Sequence, residues 1–410
     1  MKHLKLLVLI CICCMSILST NLFAQMTWTQ ATASANWSPR FVFPTVVFHD
    51  TMWLMGGYGV GVSDVWKSTD GANWINATSS ASWQHRMGHS GVVMSDKMWI
   101  IGGCVSDAYR YNDVWYSQDG ISWTCATPNA PWSTRFGHTS VVFNDKIWVI
   151  GGYPSSNDVW YSSDGVNWTC ATTSAPWSVR FYHTSVVFDG KIWVIGGEAS
   201  GGVYKNDVWY SSDGANWTQA TANAGWAPRY ELASVVFDNK IWVMAGYANG
   251  TDKNDVWYSA NGVSWSQAPN AGWQARRGPS SVVYDNKIWI LGGFPSAMND
   301  VWYSTGLNGI EDKLQTISTN QVQLNAEPNP FNKHTTIRYS LIDKSDVTVS
   351  IYDNLGKLIK NLVNENKSPG DYSVMWDGKD KHNYAVSHGI YFAKIQGKDF
   401  SEITKIIVVE

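Results

Sequence analysis

Hydrophobic and polar positions alternate in short runs along most of the chain, and glycine, asparagine and aspartate interrupt the runs at regular intervals. The stretch from Arg135 to Trp177 shows the unit. Thr139-Ser140-Val141-Val142-Phe143, Lys146-Ile147-Trp148-Val149-Ile150 and Asp158-Val159-Trp160-Tyr161-Ser162 are rich in β-branched and aromatic residues, and Trp168-Thr169-Cys170-Ala171-Thr172 forms a shorter fourth run. Such residues suit a pleated, half-buried surface, and the Asn144-Asp145 and Asp164-Gly165 pairs between them suit tight hairpins. The pattern predicts a four-stranded antiparallel meander.

The unit recurs behind Arg40, Arg86, Arg135, Arg180, Arg229 and Arg276, spaced 45 to 49 residues apart. That period belongs to propeller blades rather than helical solenoids. Tryptophan gives an independent count. A complete repeat carries one in the second run, one in the third, one in the fourth and one in the linker, as Trp148, Trp160, Trp168 and Trp177 show. The last repeat has only Trp289 and Trp302, and the missing pair, Trp28 and Trp37, stands at the other end of the chain. The N-terminal segment is therefore expected to supply the outer strand of blade six, closing the ring and removing a bare sheet edge. At about 25 cal/mol per Å², a tryptophan burying on the order of 200 Å² contributes at most roughly 5 kcal/mol. Fixed blade positions point to packing for the strand tryptophans. The linker tryptophans leave packing and ligand contact both open.

These residues resemble the kelch family: Arg-x-x-His-x-x-Val-Val, a Gly-Gly doublet closing the second strand at Gly102-Gly103, Gly151-Gly152, Gly196-Gly197 and Gly292-Gly293, and an aromatic pair in the third strand. Blade five departs with Ala245-Gly246. The resemblance implies an all-β fold, a six-bladed kelch-type β-propeller over residues 25–304, and leaves the ligand open, since propellers host binding proteins and enzymes alike.

Residues 1–24 read as a cleaved secretory signal: Lys2 and Lys5, an apolar run from Leu6 to Leu18, then Ala24 before Gln25. Cys11, Cys13 and Cys14 lie inside it. The remaining Cys104, Cys125 and Cys170 make no disulfide framework. A net charge of −3 over 410 residues lacks the basic excess of a nucleic-acid binder, and no further apolar run is long enough to span a membrane.

Residues 305–326 read as a polar linker, and residues 327–410 as a small β-sandwich with strands near 336–341, 347–352, 372–376, 390–395 and 406–409. Pro328-Asn329-Pro330-Phe331-Asn332, Ile351-Tyr352-Asp353 with Gly356, Gly370 followed by Trp376-Asp377-Gly378, Gly389-Ile390-Tyr391 and Lys405-Ile406 together resemble the type A C-terminal sorting domain of the type IX secretion system, an immunoglobulin-like module. That resemblance implies passage across the outer membrane to the medium or the cell surface, with the secretion machinery as partner.

Meander connectivity places the short, uniform first-to-second and third-to-fourth turns on one face. The variable second-to-third loops and the blade linkers lie on the other, where recognition is expected. The six arginines and Asp64, Asp113, Asp158, Asp207, Asp255 and Asp300 also end there, and their matched numbers favour Arg–Asp pairs that fix loops over a cradle for a carboxylated sugar. His89, His138 and His183, three residues after an arginine, admit a metal reading, but kelch repeats carry a histidine at this place as part of their pattern. No metal or cofactor is expected. Ser-x-Asp-Gly-x-x-Trp resembles the Asp-box of sialidases, one residue short and on the uniform face. Galactose oxidase is a kelch relative, but its copper-site constellation cannot be assigned here.

Glu231 is the irregular acid of the innermost strands, where other blades carry Val42, Gly88, Gly137, Tyr182 and Gly278; with Glu198 it is the candidate for general acid–base work. Tyr109, Tyr111 and Tyr204 at loop tips, with Tyr182 and Tyr230, are the candidate ligand-binding residues. The resulting expectation is a secreted or surface-held module that binds glycan or protein through its variable face. The alternative is an enzyme acting on acidic sugars, for which a six-bladed kelch sialic acid mutarotase is the nearest analogy.

Overall fold

The structure, a computed structural model, describes residues 26–59, 63–154, 156–305, 324–341, 344–353, 358–397 and 400–409. The segment read from sequence as a signal peptide and most of the expected linker lie outside these residues. The chain divides into two compact units, residues 1–312 and 313–410. Every regular element among the described residues is a β-strand.

The first unit holds six antiparallel blade sheets in meander order and a separate two-stranded hairpin, Tyr247–Ala248 with Thr251–Asp252. In blade three, Thr139–Phe143, Lys146–Gly152, Ser156–Ser162 and Thr169–Thr172 pair in sequence. Asn144 and Asp145 both take positive φ, +50° and +55°, as a two-residue hairpin matched to strand twist requires. Thr27–Thr32 pairs with Met298–Thr305, so the N-terminal strand completes blade six as expected from the tryptophan count.

Blades adhere through repeated indole contacts. In five of the six blades the second-strand tryptophan lies on the glycine of the third-to-fourth turn of the following blade; Trp242 of blade five is the exception, since blade six takes its fourth strand from the N-terminal segment. A Cβ on Gly120 (φ +72°) would stand 2.1 Å from the Trp53 ring, and one on Gly71 2.0 Å from Trp289, which carries the contact from blade six back to blade one. Ser117 and Asp119 shape that turn: Ser117 Oγ accepts from the Gly120 amide, and Asp119 accepts from the amides of Ile121 and Ser122. The linker tryptophans Trp37, Trp83, Trp132, Trp177, Trp226 and Trp273 are 1–2 % exposed. Each meets a fourth-strand tryptophan edge to face, at 5.9 Å for Trp132 on Trp168, and each carries the blade arginine over its ring, at 5.4 Å for Arg135. They are packing residues, which closes the question their position in the sequence left open.

The second unit is a β-sandwich. Leu324–Glu327, Thr335–Leu341 and Gly370–Trp376 form one sheet; Leu358–Lys367, Ser345–Asp353, Gly389–Gln396 and Ser401–Val408 form the other, paired in that order. Two of these seven strands are absent from the sequence expectation. Leu324–Glu327 starts within the segment read as linker, and Leu358–Lys367 is an edge strand whose Asn, Glu and Lys content hides it. The Pro-Asn-Pro-Phe motif works as a staple: Phe331 packs on Trp376 at 5.5 Å, while Asn329 Oδ1 accepts from the Ile407 amide and its Nδ2 donates to the Lys405 carbonyl.

Candidate functional site

Each blade arginine starts the axial end of its blade, and all six are fully engaged. Arg135 Nη1 and Nη2 donate to the two carboxylate oxygens of Asp158 at 2.7 and 2.9 Å, and Nη1 also donates to the Gly151 carbonyl. Arg40, Arg86, Arg180, Arg229 and Arg276 repeat this with Asp64, Asp113, Asp207, Asp255 and Asp300. Trp160 Nε1 donates to Asp158 as well. Burial alone would raise the Asp207 carboxyl, but the hydrogen bonds and charge of Arg180 outweigh it and hold the group below its ordinary range. Bidentate pairs of this kind have no donors left for a ligand.

Two residues beyond each arginine the chain reaches the axis and closes on itself. Gly88 N–H donates to Val42 O, Gly137 to Gly88, Tyr182 to Gly137, Glu231 to Tyr182, Gly278 to Glu231 and Val42 to Gly278, at 2.7–2.9 Å, giving a ring of six backbone hydrogen bonds with one link per blade. All six residues take left-handed φ, between +47° and +62°. Glycine tolerates this at three of the positions; Val42, Tyr182 and Glu231 bear a steric penalty of about 1–2 kcal/mol each. The ring thus holds three side chains at the axis against the preference of their own backbone, a cost that clusters at functional sites.

The ring residues and those that follow them in the innermost strands line an axial cavity of about 140 Å³, among them Val42, His89, His138, Tyr182, His183 and Glu231. Larger hollows of about 440 and 430 Å³ indent the β-sandwich unit, but ordinary strand residues such as Arg338, Ser340, Thr348 and Gln396 line them. The axial cavity is the place where the blades' irregular residues converge.

The histidines serve the frame. His89 Nε2 lies 3.2 Å from the Met55 carbonyl, and His138 and His183 lie 3.0 Å from the hydroxyls of Ser90 and Thr139 in the preceding blades. Burial, and then the positive charge of Arg135, lowers His138 to about 3, and His89 and His183 shift the same way, so all three are neutral at physiological pH. Among the described residues no group of three or more His, Cys, Asp or Glu side chains is placed to hold a metal ion.

A rim at the variable face, whose residues do not line that cavity, forms the axial mouth of the propeller and is built from the residue after each arginine and its cross-strand partner: Phe41 with Tyr58, Met87 with Cys104, Phe136 with Tyr153, Phe181 with Glu198, Tyr230 with Tyr247, and Arg277 with Phe294. Rings join neighbouring blades: Phe41 and Phe294 at 5.2 Å, Tyr153 and Phe181 at 5.3 Å, Tyr182 and Tyr230 at 6.4 Å. Arg277 lies over Tyr247 and Phe294 at 4.7 and 4.4 Å, and Arg110 over Tyr153 at 5.6 Å.

The acids concentrate at one sector. The Glu231 side chain is 8 % exposed, its Oε2 stands 3.5 Å from Arg277 Nε, and no hydrogen-bond donor reaches that oxygen. Arg277 also meets Asp252 at 3.3 Å. Burial pushes the Glu231 carboxyl up to about 7; Arg277 opposes the shift, and Asp252 and Glu198 add to it. Burial raises Glu198 too, and the Tyr182 hydroxyl is raised by burial and then by the charge of Glu231.

Of the residues singled out from sequence, Tyr182, Tyr204, Tyr230, Glu198 and Glu231 come together here. Tyr204 packs on Tyr230 at 4.8 Å and on Tyr247 at 6.1 Å. Tyr111 covers the Arg86 guanidinium at 4.4 Å, and Tyr109 stands 71 % exposed at the head of its hairpin strand. Sequence reasoning missed Arg277 and Asp252. Arg277 carried a signal, because the other blades have Phe41, Met87, Phe136, Phe181 and Tyr230 at its position; Asp252 sits in a variable loop and carried none.

Residues 119–293 match the family described as KLHDC2/KLHL20/DRC7 Kelch-repeats domain. The first unit is a kelch-type propeller. Residues 331–399 match the FlgD Ig-like domain, in accord with the sandwich. No curated protein sequence matches the chain. Among solved structures, that of YjhT is similar at 15 % identity and a TM-score of 0.56, covering 67 % of this chain and 96 % of that one. At that identity the likeness speaks for the fold. The kelch propeller with its added immunoglobulin-like unit is an architecture suited to binding, and no helix among the described residues is long and apolar enough to cross a membrane.

Proposed function

We propose that the protein is an exported binding module that holds a glycan at the axial mouth of its propeller. The observation that supports this reading is the near-continuous aromatic rim around the axial backbone ring, at which Tyr182 and Glu231 are held in strained conformations. Sugar rings present apolar faces that stack on tyrosine and hydroxyls that pair with carboxylate and guanidinium, and such sites combine aromatic surface with few, well-placed polar groups. Export rests on the signal-like residues 1–24 and the sorting-domain motifs of residues 327–410, with the type IX machinery as partner and the medium or outer cell surface as destination. A glycan array probed with the protein and with its Tyr204→Ala/Tyr230→Ala variant tests the reading. Loss of array binding without loss of melting temperature is the expected result; unchanged binding refutes it.

One observation favours an enzyme acting on acidic sugars, mutarotase-like in the sense of the analogy above. Glu231, held up at about 7, sits where a general acid–base group operates most effectively. Turnover of a sialic or uronic acid by the protein, abolished in Glu231→Gln, would decide for that reading.

A further inference from the structure

Glu231 is the buried carboxyl of the mouth with an oxygen that no donor reaches. Around it the charges do not balance. Glu231 and Asp252 share one half-buried guanidinium, Arg277, which is already drawn to Asp252 and stacked on Tyr247 and Phe294, and Glu198 adds a further negative charge beside Glu231. Lys253 on the same hairpin is turned to Thr251 Oγ1. Across the mouth Arg110 adds no surplus of positive charge, since Asp107 accompanies it in the same hairpin and its guanidinium donates to the Asp107 carbonyl. The phenol rings of Tyr182, Tyr204, Tyr230 and Tyr247 cluster beside Glu231, and aromatic faces attract cations through the ring quadrupole.

We infer that the ligand of this mouth is an amino sugar, with its ammonium received by Glu231 among the tyrosines and its ring stacked on the rim. This rests on the reading of the mouth as a glycan site and names the sugar class. It runs against an acidic sugar, whose carboxylate would enter a sector already rich in carboxylates. A buried carboxylate oxygen without a hydrogen-bond donor is unfavourable, which agrees with the upward shift of Glu231; Arg277 opposes that shift, Asp252 and Glu198 reinforce it, and Tyr182 and Tyr230 face the same group. An ammonium placed there returns the carboxyl to its charged form, so binding below neutrality releases a proton.

The test is calorimetric titration of the protein with a glucosamine tetrasaccharide, its fully N-acetylated counterpart, a galacturonic acid tetrasaccharide and a lysine tripeptide. The expected result is at least tenfold tighter binding of the amine than of the acetylated sugar, with proton release at pH 6.5. Both should vanish in Glu231→Gln and in Glu231→Gly. The glycine variant guards against misfolding, because three blades carry glycine at this position. Equal or tighter binding of the acetylated or acidic sugar overturns the inference and leaves the glycan reading standing. Tighter binding of the lysine peptide overturns the sugar class, and binding of none of the four overturns both readings.

Discussion

The turn face of the propeller and its axial mouth use the same repeat to opposite ends. On the turn face the blades agree: a Ser-x-Asp-Gly or Ser-x-Asn-Gly turn receives the preceding blade's tryptophan, as Gly120 does Trp53, Gly165 does Trp99 and Gly262 does Trp193. At the mouth, two residues past an invariant arginine, the blades supply valine, glycine, glycine, tyrosine, glutamate and glycine to one ring of hydrogen bonds. Where a contact must recur to build the frame, the sequence repeats; where the side chains differ on an identical backbone, frame-building cannot be the reason for them.

The comparison breaks most completely if the frame is opened. Removing residues 25–39 deletes the strand that pairs with Met298–Thr305 and the Trp28 contact to Trp273, so the whole ring should lose cooperative folding, read as loss of the thermal transition and aggregation on size exclusion. A truncated chain with the parent's melting temperature would sink the closure argument.

Next in size is the Arg–Asp post. Arg135→Leu leaves the Asp158 carboxylate without its bidentate partner and should destabilise the propeller by about 3–5 kcal/mol in denaturant titration, as removal of one member of a buried pair does. A change under about 1 kcal/mol would mean that the posts are ornamental. Gly120→Ala should cost about 1–3 kcal/mol, because its methyl must displace the Trp53 ring.

Acid should attack the frame before the mouth. Asp207 and Asp255 have folded-state values below their ordinary ones, so their contribution is complete above about pH 4 and fades as pH falls through the lowered values. Glu231 has the opposite sign. Its raised value means that the folded state prefers the protonated carboxyl, so its contribution is whole below about pH 4 and is lost as pH rises toward 7. Stability measured from pH 5 to 8 should therefore slope downward more steeply in the parent than in Glu231→Gln; identical slopes would count against a carboxyl whose burial outweighs its ion pair with Arg277.

The smallest expected effect runs toward greater stability. Glu231→Gly relieves a left-handed φ of +53° and should stabilise the propeller by about 1 kcal/mol while removing ligand binding. A destabilised variant would show that Glu231 belongs to the frame.

The frame was legible because it repeats. Arginine spacing, the Gly-Gly doublets and the four tryptophans per repeat led to six blades and to closure by Trp28 and Trp37, and the equal numbers of Arg and Asp pointed to pairs. Glu231 was legible for the converse reason, as an acid where neighbouring repeats have none. What the sequence concealed was the geometry between repeats: that positions two past each arginine meet at the axis in a left-handed ring, and that Arg277 of blade six closes over Glu231 of blade five. Tyr109 and Tyr111 looked like Tyr204 by their loop positions, yet Tyr111 shields Arg86, because aromatic identity alone does not say which way a ring folds.

Strand Met298–Thr305 runs from the mouth, where its first residue bridges Arg40, to the turn face, where the chain leaves the propeller. It is flanked on one side by Lys287–Gly293 and on the other by Thr27–Thr32. A load applied between a ligand gripped at the mouth and a tether attached beyond residue 305 therefore pulls along this strand and strains two ladders in parallel, so that many hydrogen bonds must fail together. Against such a pull the closing strand acts as a mechanical clamp.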